Sequence, residues 1–359
     1  MKSCSYNEWD PLLEVVVGNV IGAEKMAYEP SLGAYFDQEP DARSFSGGHW
    51  EEDEIAEAQK QLDGLASILV ERGIVVRRPE PFQGNSTITT PDFVASHPNS
   101  FACPRDVLFV VGDLIVEAPM AQRGRFFEYR GYRQIMLRHF SSGGRWLACP
   151  KPFLRDRDFA PDYTTTEQPF HPENHPVLLT DDPCFDAASF TRCGRDIFWQ
   201  PDMVSNAAGA QWLRQAIGTE YRIHRVEFDD RYPQHIDTTL VPLRPKLAMI
   251  NPERPPRGDT LHIFERNGWV LIKPPPSIRA GLPAPARDVS NWISMNVLVL
   301  DPQTVVVEEA EYPLANFLEG YGFRAIRVPF DKVYKFGGGF HCCTVDLRRD
   351  GDLDSYFSE

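Results

Sequence analysis

The sequence has no run of about 18 apolar residues, so no membrane-spanning helix is expected. The start, Met1-Lys2-Ser3-Cys4-Ser5-Tyr6-Asn7-Glu8-Trp9-Asp10, has no apolar core and does not read as a secretory signal. Cysteine is sparse, with 7 in 359 residues, and no two stand in a CxxC pair. That excludes a disulfide framework and a zinc ribbon, and suggests reduced thiols in the cytoplasm. Positive charge is the minority sign, 37 Lys+Arg against 51 Asp+Glu, for a net charge of −14. Such a chain repels phosphate backbones, so no nucleic acid is expected as a partner, and a cationic ligand suits it better. Low-complexity sequence is absent, which speaks against disorder.

Proline (31) and glycine (25) are plentiful and spread along the chain rather than gathered in one linker. Many short elements joined by turns are expected, not two lobes on a hinge. Strands are expected at 13–18 and 74–78. Hairpins are expected at 107–117, turning at Gly112-Asp113; at 240–250, turning near Pro245-Lys246; and at 297–307, turning at 301–303. The apolar spacing predicts a helix over 54–72, stopped by Gly73, and further helices over 123–139, 206–217, 260–267 and 313–321. Segments 153–182 and 274–289 read as long irregular loops.

A repeat organises these elements. A turn with a polar residue leads into a hairpin, then a helix, then a strand. It is seen at Asp106, at Asp186, at His235-Ile236-Asp237, at Asn296 and at His341-Cys342. Modules that cannot bury their faces alone suggest a closed radial array, with the N-terminal strand completing the last module. Equivalent turns then meet near the axis. Asp106, Asp186, His235, Asp237, Asn296, His341 and Cys342 would converge, although each taken singly could be an ordinary turn residue.

Cys342 follows three glycines, Gly337-Gly338-Gly339, and is expected to be an accessible thiol. Cys343 should point to the opposite face and pack in the core. A thiol needs a base or a cation to ionise, and His235 is the leading base. Asp186 could orient it. His235 and Asp237 should share one face of an extended strand. Two further carboxylates, Asp106 and Asp237, oppose a thiolate unless a cation is bound. The site therefore suits a planar cation with several N–H donors, a guanidinium. Attack of the thiol on its carbon, with loss of an amine, leaves an amidino-thioether. Water would complete a hydrolysis, and an amine a transfer.

The landmarks are Cys103-Pro104-Arg105-Asp106, Glu117-Ala118-Pro119-Met120, Arg125-Phe126-Phe127-Glu128-Tyr129-Arg130, Cys184-Phe185-Asp186-Ala187-Ala188, His235-Ile236-Asp237, Asn251-Pro252-Glu253-Arg254-Pro255, Trp292-Ile293-Ser294-Met295-Asn296 and Gly337-Gly338-Gly339-Phe340-His341-Cys342. With them the chain resembles the amidinotransferases over nearly its whole length. The resemblance implies one domain over 1–359 with the pentein fold, an α/β propeller of five ββαβ modules. It implies Cys342 as nucleophile, His235 as acid and base, and Asp186 as its orienting partner. Asp106 and Asp237 match residues that hold the guanidino group, and Arg254 and Ser290 match residues that bind the amino-acid end. No metal or organic cofactor is implied. The implied donor is L-arginine and the first product L-ornithine, with glycine as the default acceptor and lysine or another biosynthetic amine next. The alternative is an arginine-type hydrolase using the same Cys/His/Asp site. A homodimer is expected by analogy alone. Tyr232, Gln234, Val289 and Cys343 depart from the glycine enzymes. Phe126, Phe127, Tyr129 and the remaining arginines read as packing residues.

Overall fold

Short strands with both faces buried cannot stand alone, and here they assemble five times in the same way. Each unit pairs a first strand antiparallel to a second, and the second lies parallel to a third. A parallel partner requires a crossover, and each crossover here carries a helix. The structure is a computed structural model, and it describes residues 4–27, 29, 47–81, 87–160, 170–281 and 290–358.

Four units run in chain order. Leu108–Val111, Leu114–Glu117 and Arg145–Ala148 are crossed by the helix Arg133–Ser141. Phe190–Cys193, Asp196–Trp199 and Arg222–Arg225 are crossed by Ala207–Ile217. Leu240–Arg244, Leu247–Ile250 and Val270–Ile272 are crossed by Thr260–Glu265. Leu298–Asp301, Thr304–Glu308 and Arg324–Val328 are crossed by Tyr312–Gly320. The remaining unit joins the two chain ends. Its first strand is Thr344–Arg349, which pairs with Leu12–Val17, and the helix Glu52–Glu71 leads to Val75–Arg77. The five ββαβ modules are therefore those expected, and the N-terminal strand closes the ring.

Local chemistry fixes the ends of these elements. Asn206 accepts a hydrogen bond from Gly209 N at 2.8 Å and caps its helix, which Gly218 ends at φ +91°. Glu51 and Glu54 form a reciprocal capping box at the start of the longest helix. At the hairpin turn Gly112 has φ +54°, and a Cβ there would lie 2.7 Å from the Tyr221 hydroxyl, so a side chain is excluded twice over.

One expected helix is shorter than its pattern. Over 123–139 the α-helix begins only at Arg133, after two 3-10 turns, Arg123–Arg125 and Glu128–Tyr132. Neighbouring side chains press on the backbone here: a Cβ on Gly124 would meet Met26 at 2.3 Å, and one on Gly131 would meet the Phe101 ring at 2.5 Å. A small hairpin, Thr87–Thr89 with Val94–Ser96, and a two-stranded antiparallel pair, Glu227–Phe228 with Pro256–Arg257, go beyond the expected elements. Parts of the two long loops, 161–169 and 282–289 with Val289, lie outside the described residues. Among the described residues no helix is long and apolar enough to cross a membrane.

The first strands form the inner wall and are buried almost throughout, whereas the third strands are partly exposed. Between the inner strands lies a charged network. Arg192 gives Nε to Glu8 Oε1 at 2.8 Å and Nη2 to Asp346 Oδ2 at 2.6 Å. Its Nη1 reaches Val110 O of the next module at 2.6 Å. Arg105 pairs with Asp346 Oδ1 at 2.6 Å and with Glu8 Oε2 at 3.3 Å. Arg349 bonds Asp346 Oδ2 at 3.0 Å and Val299 O at 2.9 Å. His341 joins Glu8 at 3.4 Å to Asp237 at 2.8 Å. Every module thus contributes a group. Burial pushes the Glu8 carboxyl up, but Arg192 and Arg105 hold it well below the usual range.

Breaking a buried pair leaves its partner charge uncompensated. Arg192→Met is therefore expected to cost about 3–5 kcal/mol of unfolding free energy in urea titrations. An unfolding curve coincident with that of the unsubstituted protein would show that the network does not hold the modules together.

Candidate active site

The three glycines before Cys342 allow a very close approach. Gly337 has φ +109°, and a Cβ on Gly338 would stand 2.3 Å from Cys342 Cβ and 2.8 Å from its sulfur. A Cβ on Gly339 would stand 2.9 Å from Asn296. The loop therefore packs its backbone against the thiol residue and against Asn296. The Asn296 amide holds Cys342 from both ends: Oδ1 accepts from Cys342 N at 3.0 Å, and Nδ2 donates to Sγ at 3.1 Å.

Two expectations need correction. Cys342 is not an accessible thiol but a buried one, 4% exposed, because the glycine loop lies on it. His235 is not at the start of an extended strand. It has φ +61°, residues 236–239 form a turn, and the strand begins at Leu240. A left-handed backbone at a residue with a Cβ is strained. Here it is held by His235 N donating to Asp202 Oδ2 at 2.9 Å, while Ser189 fixes the same carboxylate oxygen at 2.7 Å. As a result His235 and Asp237 serve different partners rather than one face. His235 Nε2 meets Asp186 Oδ2 at 3.1 Å, and its Nδ1 faces Asp106 Oδ1 at 3.7 Å. Asp237 Oδ2 accepts from Cys342 Sγ at 3.2 Å and pairs with His341 Nδ1 at 2.8 Å.

The seven residues expected to converge do so. One atom each of Asp106, His235 and Cys342 lies within 4.8 Å of the other two. Asp186 and Asp237 bind His235 and Cys342 as above. Arg254 and Ser290 form an adjoining pair. Arg254 Nη1 donates to Thr238 and Thr239, the two residues after Asp237, at 3.0 and 2.9 Å, and its Nε pairs with Asp230 at 2.9 Å. Among the described residues its Nη2 makes only the long 3.5 Å contact to Ser290 Oγ. That nitrogen is the edge best placed to take an incoming carboxylate.

Other residues of the site escaped the sequence reading. Arg125, read as packing, is buried with Nη1 at 2.8 Å from Asp106 Oδ2 and 3.3 Å from Asp186 Oδ2, and it is locked by Glu128 through Nε and Nη2 at 2.9 and 2.8 Å. The Arg125/Glu128 spacing of three was the available signal, but it shows nothing of burial. Asn296 is among the residues expected to converge, but the sequence assigns it no part on the thiol. Of the departures from the glycine enzymes, Cys343 lies buried with its sulfur 4.0 Å from that of Cys103, and both amide atoms of Gln234 are buried without a hydrogen-bond partner among the described residues.

Electrostatics follow from this packing. Burial pushes His235 down, but the Asp106 and Asp186 carboxylates outweigh it and raise the imidazole to about 10. The ring is thus protonated at neutral pH. Burial, with the negative charges of Asp237 and Asp106, pushes the Cys342 thiol well above its usual range. Burial raises Asp106, while Asp237, despite burial, is held low by His341 and His235. The resting site holds a neutral thiol, a cationic imidazole and surplus carboxylate. Asp106, His235 and Cys342 are also donors of the kind that hold a transition metal, but a metal there must displace the imidazole's proton. Glu24, His49 and His97 form a second such group away from the thiol.

No family model matches the sequence. Individual relatives do. The chain is 39% identical over 369 residues to the mitochondrial glycine amidinotransferase of Gallus gallus, covering 99% of this chain and 84% of that one. It is 40% identical over 357 residues to the L-arginine:L-lysine amidinotransferase of Pseudomonas savastanoi pv. phaseolicola, covering 98% and 96%. The solved structure of the saxitoxin-pathway amidinotransferase of Microseira wollei superposes with a TM-score of 0.88 at 38% identity, covering 99% of each chain.

The chain belongs to the amidinotransferase family. Its resemblance on motifs is thereby matched by similarity along the whole chain, and its α/β propeller is the family's fold.

Within this amidinotransferase, Asn296 is the neutral donor on the thiol. Asn296→Ala removes one hydrogen bond to a sulfur that must become negative, a loss of about 1.5–3 kcal/mol. Alkylation of Cys342 by iodoacetamide at fixed pH, followed by peptide mass spectrometry, is expected to slow about tenfold or more. An unchanged rate would remove Asn296 from the site. Gly338→Ala is expected to abolish turnover while the protein still folds, measured by activity and melting temperature together.

Proposed function

We propose that this enzyme moves the amidino group of L-arginine to an acceptor amine through a covalent amidino-Cys342 intermediate and releases L-ornithine. The observation that carries the reading is the Cys342–His235–Asp106 cluster, a thiol and a cationic imidazole within 4.8 Å among carboxylates. In the reading, Asp106 and Asp237 hold the guanidinium of arginine, Arg254 Nη2 and Ser290 take its α-carboxylate, and Asp186 orients His235. A bound cation offsets the carboxylates that keep the thiol protonated.

The first half-reaction joins Cys342 Sγ to the guanidino carbon. The bond to the ornithine nitrogen then breaks as His235 delivers its proton to that nitrogen, and the thiol's proton replaces the one given up. The amidino-thioether keeps the positive charge of the guanidinium, so the atoms and charge balance. In the second half an uncharged amine attacks the same carbon and the C–S bond breaks. The amine's surplus proton returns through His235 to the sulfur. Starting protonated suits His235 to the first step, because the leaving amine is a poor leaving group without a proton.

Glycine is the first acceptor in this proposal and lysine the second, since relatives named for each are similar over the whole chain. The proposal treats 1–359 as one domain, as a cytoplasmic enzyme and as a homodimer. The deciding experiment offers arginine with glycine, lysine, other amino acids and amino sugars, and follows products by mass spectrometry. Ornithine with one matching guanidino product is expected. Citrulline formed without any acceptor would mean a hydrolase. Two substitutions accompany it. Cys342→Ala is expected to release no ornithine, and Asp106→Asn to weaken kcat/KM for arginine by the equivalent of about 1.5–3 kcal/mol. An unaltered kcat/KM for Asp106→Asn would count against that carboxylate as a guanidinium ligand.

A further inference from the structure

Asp106 and Asp186 both face His235, and each must offer a chosen oxygen in a chosen direction. A carboxylate on a short side chain can rotate, and a buried one with a free oxygen turns toward whatever donor is nearest. Something must hold these two. Arg125 touches both, with one nitrogen, Nη1, 2.8 Å from Asp106 Oδ2 and 3.3 Å from Asp186 Oδ2. Its own orientation is not free, because Glu128 takes the opposite edge in a two-bond fork at 2.9 and 2.8 Å. The remaining oxygens, Asp106 Oδ1 and Asp186 Oδ1, are buried and accept no hydrogen bond from the described residues. Asp106 Oδ1 is also the oxygen that faces His235, at 3.7 Å. A buried carboxylate oxygen without a donor is costly unless a ligand supplies one.

We propose that Arg125 is a positioning residue for amidino transfer: anchored by Glu128, its guanidinium holds Asp106 Oδ2, which leaves Asp106 Oδ1 for the donor's guanidinium, and holds Asp186 Oδ2 where that oxygen meets His235. The proposal rests on the roles given above to Asp106 and Asp186. Arg125 acts through those two carboxylates and does not itself meet substrate. Lysine cannot replace it fully, since an ammonium is a point charge and cannot fork to Glu128 while reaching two other carboxylates.

The charge of Arg125 has a separate consequence. Asp106 is surrounded by His235, Arg125, Asp186, Asp237, Glu128 and Cys342, and burial already raises its carboxyl. Asp186 faces His235, Arg125, Glu128 and Lys151. Removing the arginine's charge makes the Asp106 carboxyl hold its proton more tightly. Asp106 must be ionised to hold a guanidinium. The acidic limb of kcat/KM for arginine therefore moves to higher pH when the charge is removed, and stays in place when the charge is kept.

The test compares Arg125→Gln with Arg125→Lys, each first shown to melt cooperatively. Arg125→Gln is expected to lower kcat/KM for arginine about 100-fold and to move its acidic limb up by about one pH unit or more. Arg125→Lys is expected to recover part of the loss and to restore the limb to its original pH. An acidic limb unmoved in Arg125→Gln, or an Arg125→Lys as impaired and as shifted as Arg125→Gln, overturns the proposal in favour of a purely structural arginine. Should Arg125→Gln fail to fold, an unimpaired Arg125→Lys overturns it equally, because the lost fork is expected to cost it about tenfold. Cys342→Ala assayed alongside separates the two readings. Ornithine release from that variant removes the catalytic reading itself, whereas an inert Cys342→Ala with an unaltered Arg125→Gln removes only the role of Arg125.

Discussion

The buried ion network among Glu8, Arg105, Arg192, Asp346 and Arg349 is the constraint on which the rest of the structure depends. Five modules that meet around an axis present their first strands to one another, and no single module can fill the space between them. An apolar filling would bury surface but set no rotation between modules. Arginines with directional donors do set it, because each reaches a carboxylate and also a carbonyl on a neighbouring inner strand. Such a network is expensive to bury and damaging to break, so it gives register more than net stability. The N-terminal segment supplies Glu8 to this network, and the C-terminal strand supplies Asp346 and Arg349. The two ends of the chain are thus joined by charge as well as by strand pairing.

The same network continues into the chemistry. Glu8 bonds His341, His341 bonds Asp237, and Asp237 accepts the hydrogen bond of the Cys342 thiol. On the opposite flank Glu128 anchors Arg125, which touches Asp106 and Asp186, and these hold His235. The proposed nucleophile and the proposed proton carrier are therefore suspended from two different chains of buried charge. The carboxylates near the thiol keep it neutral at rest. That is a poor state for attack and a good one for selectivity, since the arrival of a cation is what relieves it. In the proposed reaction the donor's own positive charge would help to make the nucleophile that attacks it.

Much of this was legible in the residues. Short apolar runs with Gly-Asp and Pro turns marked the hairpins, and polar turn residues at their starts marked the repeat. Cysteine, histidine and three aspartates at equivalent places were enough to suggest guanidinium chemistry, and the structure brings them together. The errors share one cause. The helix over 123–139 was read from its side-chain pattern, but Gly124 and Gly131 are pressed by Met26 and Phe101, which lie 98 and 30 residues earlier. The thiol was read as exposed because a glycine loop precedes it. Glycine permits a close approach equally well to a ligand or to the loop's own neighbour, and here Gly338 lies against Cys342 itself.

The amino-acid sequence by itself determined the number and order of the modules and the polar residue types at their turns, because these depend on periodicity, turn chemistry and spacing within a few residues; the family was carried by its motifs. Only the tertiary structure decided which oxygen of Asp106 faces His235, the left-handed backbone of His235, and the burial of Cys342. It also decided the place of Arg125, which in sequence is one arginine among several. The physical reason is separation. Arg192 finds Glu8 across 184 residues and Cys342 finds Asp237 across 105. A partner that distant leaves no periodic trace beside the residue it meets. Its effects on charge, strain and burial exist only once the ring has closed.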